Sequence, residues 1–201
     1  MSAVDLTGLI KWSTGKPRFI DFGGELTPGL GGPVQRVNRL GNRFGIDVAG
    51  VPIPEYPDAE ALVAWLRLAK QNGAIFPWPT PRGAPATSYG SPVVNGAVTA
   101  GTSVAVRGLT VGATIRFGQF FSIVTAGWRC LYAHAATAVV ADGAGHATLT
   151  VDPMLRVSLA DGDVVELATP KIMGFLKSGD LDNEIMLAPF CRIDFSIAES
   201  K

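Results

Sequence analysis

The side chains best suited to chemistry in this chain are few and scattered. His134 and His146 are its only histidines, and Cys130 and Cys191 its only cysteines. Cys130 and His134 could offer a metal ion two ligands, but a zinc site needs three or four. The cysteines stand far outside any close paired metal or redox spacing, and one pair makes no disulfide framework. They read as reduced core residues, a common place for free cysteine. His134 reads as a strand residue at a sheet face or interface.

The acidic groups fare no better as a reacting set. Asp180, Asp182 and Glu184 alternate like part of a calcium loop. That loop needs glycine at its sixth position, and Ile185 stands there. A solvated turn between strands is the expectation. Asp161, Asp163 and Glu166 read as hairpin charges, and nothing fixes the carboxylate separation that glycoside hydrolysis requires. Arg36, Arg39 and Arg43 form the only local basic cluster, within Gln35-Arg36-Val37-Asn38-Arg39-Leu40-Gly41-Asn42-Arg43. It is either a contact for an acidic partner or neighbouring protomer, or the wet face of a hairpin. Trp78, Tyr89, Trp128 and Tyr132 are either a sugar-stacking platform, with Trp128 and Tyr132 its centre, or packing residues.

No G-x-S-x-G elbow, phosphate loop or H-E-x-x-H helix occurs. The expectation is a protein that is not an enzyme, with no catalytic residue, cofactor or metal. Its 201 residues are 47% hydrophobic and 17% charged, and lysine plus arginine equals aspartate plus glutamate at 17 each. Disordered chains lack that much apolar content. Nucleic-acid binders carry a cationic excess, so sequence-specific nucleic acid is not an expected partner. Met1 to Leu9 lacks the basic start and unbroken apolar stretch of a secretory signal. The uncharged stretch from Gly83 to Val106 is too rich in Gly, Pro, Ser, Thr and Asn for an apolar spanning helix, so no membrane insertion is expected.

The elements that must carry these residues are mostly strands. Phe44, Ile46 and Val48 alternate with Arg43, Gly45 and Asp47, and Cys191, Ile193, Phe195 and Ile197 alternate with Arg192, Asp194 and Ser196. Such period-two runs are half-buried strands. Further strands are expected at 18–22, 34–40, 103–107, 114–124, 128–133, 137–140, 146–151, 164–167 and 172–176. One helix, about 58–71, is expected from Leu62, Trp65, Leu66 and Ala69, with Asp58 as its cap and Asn72-Gly73 as a left-handed stop. The fold class is mainly β.

Prolines between Pro77 and Pro92 suggest a stiff connector over 77–92, outside any sheet interior. A second break falls at Thr169-Pro170. The segment beyond it is too short to hold a core alone, yet carries the best strand pattern. It is therefore expected to return to the N-terminal part. Residues 1–82 and 169–201 would form one discontinuous β-sandwich with the helix, and 88–168 an inserted β domain.

That order of motifs resembles a known family. Pro33-Val34-Gln35-Arg36-Val37-Asn38-Arg39-Leu40-Gly41 precedes a strand and the helix around Trp65. Then come Gly118-Gln119-Phe120-Phe121-Ser122-Ile123, Leu131-Tyr132, the Asp142–Val151 hairpin and Pro153-Met154-Leu155-Arg156. Across most of its length the chain resembles the distal tail (Dit-like) proteins of long, flexible-tailed bacteriophages. The resemblance implies an N-terminal β-sandwich with a helix and an inserted OB-like or galectin-like barrel or sandwich. It implies a hexameric ring in the virion, at the distal end of the tail tube, made after synthesis in the host cytoplasm. The ring would join the tube to the baseplate hub and let DNA pass. Its partners would be further copies of itself, the tail tube protein, the hub or tail-associated protein and the tape measure protein. A carbohydrate-binding accessory module, or another tail-tube or baseplate ring subunit, is the alternative. Rings of identical subunits need two unlike patches per protomer. The expected patches are the Val34–Val48 hairpin with Arg36, Arg39 and Arg43, and the helix around Trp65.

Overall fold

The computed structural model describes residues 3–37, 39–81, 87–177, 183–185 and 190–200, with backbone alone for Glu55 and 183–185. The chain is mainly β, with one α-helix and a closed six-stranded barrel among the described residues. In chain order the strands begin with Val4–Asp5 (β1), Trp12–Ile20 (β2), Gly24–Leu26 (β3), Gln35–Val37 (β4), Arg43–Gly50 (β5) and Ile53–Pro54 (β6). The helix Glu60–Asn72 (α1) and Ala74–Pro77 (β7) follow. Then come Val93–Val94 (β8), Ser103–Arg107 (β9), Thr114–Ile115 (β10), Phe120–Thr125 (β11), Trp128–His134 (β12) and Val139–Val140 (β13). Ala147–Asp152 (β14), Val164–Glu166 (β15), Lys171–Leu176 (β16), Asn183–Ile185 (β17) and Phe190–Glu199 (β18) complete them.

The large sheet runs β1-β7-β16-β18-β5-β2, with β6 and β17 also on β18. Its centre is β18, whose inward residues Cys191, Ile193, Phe195 and Ile197 are all buried, as the alternation predicts. This C-terminal strand pairs antiparallel with β5, joining the two ends of the chain in one sheet. Where β16 crosses β18, Gly174 is required. A Cβ there would land on the Ala198 carbonyl.

Leu62, Leu66 and Ala69 of α1 are buried in the core of this sheet, with Phe76, Ile172 and Ile197. Two features of the helix differ from the sequence expectation. Asp58 makes no side-chain cap, because the chain is already helical at Ala59 (φ −70°, ψ −38°) as it leaves a wide turn over Glu55–Ala59. Gly73 has φ 90° but an extended ψ of 159°, so it ends the helix without a left-handed helical turn and starts β7 directly. Its N–H still reaches the Ala69 carbonyl at 2.8 Å.

The barrel closes in the order β11-β12-β14-β9-β8-β15. Its own core holds Val104, Val106, Ile123, Tyr132, Leu149 and Val165. The expected strand 114–124 is split into β10 and β11, because Gly118 takes a positive φ of 74°. The expected Val34–Val48 hairpin is also corrected. β4 pairs with β3, while β5 pairs with β2. The Pro28 to Pro33 stretch, with Gly31 at φ 77°, supplies the turn for β3 and β4 instead.

Sheet and barrel meet where the chain leaves and returns. The connector expected to avoid the sheet begins inside it: Pro77 pairs in register with Lys171 at the end of β7, where its missing N–H is tolerated. The Trp78 N–H bonds the Pro170 carbonyl at 2.8 Å. Phe44, Trp78 and Phe120 pack edge to face or tilted around that point, with centroids 5.1–5.8 Å apart.

Candidate functional site

The two ends of the β2–β5 ladder carry the surfaces that stand out. At the Ile20 and Arg43 end, the chain leaves the sheet as an arm, built on the three-pair β3–β4 ladder and a loop over residues 27–34. The two strands pair only with each other. Leu26, Leu30, Val34 and Leu40 on this arm are exposed, and Leu30 fully so. Polar contacts fix the arm's base. Asn42 accepts from the Phe22 N–H at 2.8 Å, and Asp21 accepts from the Gly23 N–H at 2.7 Å. That backbone bond, aided by the Arg36 charge, holds the Asp21 carboxyl below the usual range.

The three arginines of the basic cluster have separate roles. Arg36 is paired with Asp21. Arg43 stacks over the Phe22 ring, 4.9 Å from its centroid. Arg39 is exposed and, with Arg36, lines a cleft of about 300 Å³ between the arm and the Pro153-Met154 loop. Arg36 and Arg39 thus share a cleft, while Arg43 is engaged with Phe22.

At the Trp12 and Gly50 end lies a second surface. A groove of about 430 Å³ is lined by Leu9, Ile10, Pro52, Ile53, Leu62 and Trp65, with Lys11 and Asp58 also in its lining. Trp65 falls off the buried stripe of α1 and is 42% exposed. It belongs to the groove and not to the sheet core. Arg36, Arg39 and Arg43 therefore lie at one end of the ladder and Trp65 at the other.

The barrel places its candidates inside. Tyr132 is completely buried, and burial pushes its phenol well above the usual range. A ring enclosed in a core cannot stack on a sugar, so Trp128 and Tyr132 form no glycan platform. His134 is buried too. Its Nδ1 accepts from the Thr150 N–H at 3.2 Å and its Nε2 lies 3.0 Å from the Thr137 carbonyl. Both ring nitrogens are committed to the fold, and no group of three metal-ligating side chains occurs among the described residues. Cys130 is buried in the barrel core and Cys191 in the sheet core. Asp180 and Asp182 lie outside the described residues, as does the Glu184 side chain.

Glu166 is more than a hairpin charge. It accepts from Ser122 Oγ at 2.6 Å and from Arg129 Nε at 3.2 Å, while Ser122 Oγ accepts from the Lys171 N–H at 3.1 Å. This chain ties the barrel to β16. A deeper tie is Arg156 with Glu199, whose side chains are 5% and 1% exposed. Arg156 donates to both Glu199 oxygens at 3.0 and 2.9 Å, and Glu199 also accepts from the Phe44 and Leu131 N–H groups, each at 2.7 Å. Burial pushes the Glu199 carboxyl up against the opposing pull of Arg156 and those donors. Sequence reasoning missed this pair. The available signal is parity, since Glu199 occupies an inward position of β18 in line with Cys191 to Ile197.

No family model matches the chain, and no curated protein matches it in sequence.

Proposed function

We propose that this chain is a structural subunit that forms a ring at the distal end of a phage tail, joining the tail tube to the baseplate hub around a passage for DNA. The observation that carries the reading is the pair of unlike apolar surfaces, arm and groove, at opposite ends of one ladder. A ring of identical copies needs two different patches on each. The order of motifs that resembles distal tail proteins gives the reading its place in the particle. The balanced charge supports it as well, because a neutral chain does not repel its own copies. Glycan binding loses its support with the enclosed Tyr132.

Electron microscopy of the purified full chain, alone and mixed with tail tube and hub proteins, tests the proposal. Closed rings are the expected result. A chain that stays monomeric at high concentration and binds neither tube nor hub protein overturns it.

A further inference from the structure

We propose that the arm of one copy seats in the Trp65 groove of a second copy, making a head-to-tail interface. The inference rests on the ring-forming reading for its closure, but its geometry stands on the fold.

The arm has apolar side chains that its own fold leaves largely uncovered. Leu26, Leu30 and Leu40 all face solvent. A two-stranded hairpin is at best marginally stable by itself, so this one calls for a partner surface. The groove has the opposite deficit, an apolar floor of Ile10, Leu62 and Trp65 with no side chain of the arm in its lining. Arm and groove are separated by the β2–β5 ladder from Trp12 to Ile20, roughly 25 Å at the strand rise, and they share no residue. The arm rises from the far end of that ladder, so in this fold the groove is open to another molecule.

Charge points to a second copy. Glu25 and Arg39 on the arm, and Lys11 and Asp58 at the groove, are exposed, and no side-chain ion pair holds any of them among the described residues. Each surface thus offers one anion and one cation. A seated arm can set Glu25 against Lys11 and Arg39 against Asp58. A partner with a strong charge of either sign would leave one of each pair opposed to its like. Two unlike patches on every copy give a head-to-tail contact, which closes into a ring when the rotation fits and runs on as a filament when it does not.

Complementation tests this. The arm variant Leu26→Asp with Leu30→Asp, and the groove variant Leu9→Asp with Trp65→Asp, are made in the full chain, and light scattering coupled to size exclusion reads their mass. Circular dichroism confirms that each folds, and Leu9→Asp alone serves if the double groove variant does not. Wild type is expected to assemble and each variant alone to be monomeric. Their equal mixture should have twice the monomer mass, because one intact arm then meets one intact groove. Variants that assemble like wild type, or a mixture that stays monomeric while wild type assembles, overturn the arm-in-groove contact and leave the ring reading standing. Wild type monomeric by itself overturns the contact too. The ring reading falls with it only if tube and hub proteins also fail to bring the copies together.

Discussion

The barrel finishes its own structure, and the sheet does not. Every strand of the barrel has two neighbours, so no edge is left open, and its core is filled by side chains from the barrel itself. The sheet ends on β1 and β2, and it extends an arm whose leucines are exposed. Its long edge strand β2 carries Lys16 and Pro17, which discourage further strand pairing. The uncovered apolar side chains lie away from that edge, at the ends of the ladder. One half of the chain closes on itself, and the other leaves sheet edges and apolar side chains uncovered.

The largest way to break that contrast is to separate the halves. Glu199→Ala strands the Arg156 guanidinium in the interior and removes the acceptor for the Phe44 and Leu131 N–H groups. Removing one member of a buried ion pair costs about 3–5 kcal/mol. Urea unfolding should show that loss. Replacing both members with apolar residues, Arg156→Met with Glu199→Leu, should recover part of it, because the stranded charge then disappears. An effect below about 1 kcal/mol for Glu199→Ala would mean that the pair does not join the halves.

A core truncation gives the next largest effect. Leu149 is fully buried in the barrel, and Leu149→Ala should cost about 2–5 kcal/mol through lost burial and the cavity left behind. Hydrogen exchange should show the protection of β11, β12 and β14 falling before that of β5 and β18. Equal loss in both sets would make sheet and barrel one cooperative unit.

How much of this was legible in the sequence depends on whether the pattern was local. The strand expected at 191–197 is observed as Phe190–Glu199, and that at 103–107 as Ser103–Arg107, because one face of each is buried and period two records it. The short pieces β1, β8 and β7 are not legible. Two have only two residues, and β7 is buried on both faces, so none alternates. Partner choice was hidden as well. Val34 to Val48 looks like one hairpin, but the glycines and prolines before it make the closer turn, and β4 folds back on β3. In α1 the spacing put Trp65 on the apolar stripe. Leu66 and Ala69 are fully buried by the sheet while Trp65 looks into the groove, a distinction that only the packing decides. The Arg156–Glu199 pair joins residues 43 positions apart, so parity can place Glu199 inward on β18 but nothing local names its partner.

Acid should act on the barrel surface with a smaller effect. Asp161 accepts twice from Arg107 and once from the Gly96 N–H, and these bonds hold its carboxyl at about 2 against an ordinary 3.8. A carboxyl lowered on folding favours the native state above its unfolded value and loses that contribution as pH falls through the folded one. The window is therefore pH 3.8 down to about 2. Carboxyl NMR should give an Asp161 midpoint near the lower limit, moving up toward 3.8 in Arg107→Ala. An unmoved midpoint would assign the lowering to the backbone donor alone.

The smallest effect sharpens the comparison most. Leu30→Ala removes the same atoms as Leu149→Ala, but Leu30 lies on the arm with its whole side chain in solvent. Exposed substitutions away from packing, caps and ion pairs change stability by about 0.5 kcal/mol or less. Urea unfolding, at a concentration where the chain is monomeric, should therefore leave Leu30→Ala within that limit. A loss of 2 kcal/mol or more would mean that the arm packs on its own body. The leucine's contribution would then lie in folding, and the contrast between a closed barrel and an unfinished sheet would fail at the residue that best expresses it.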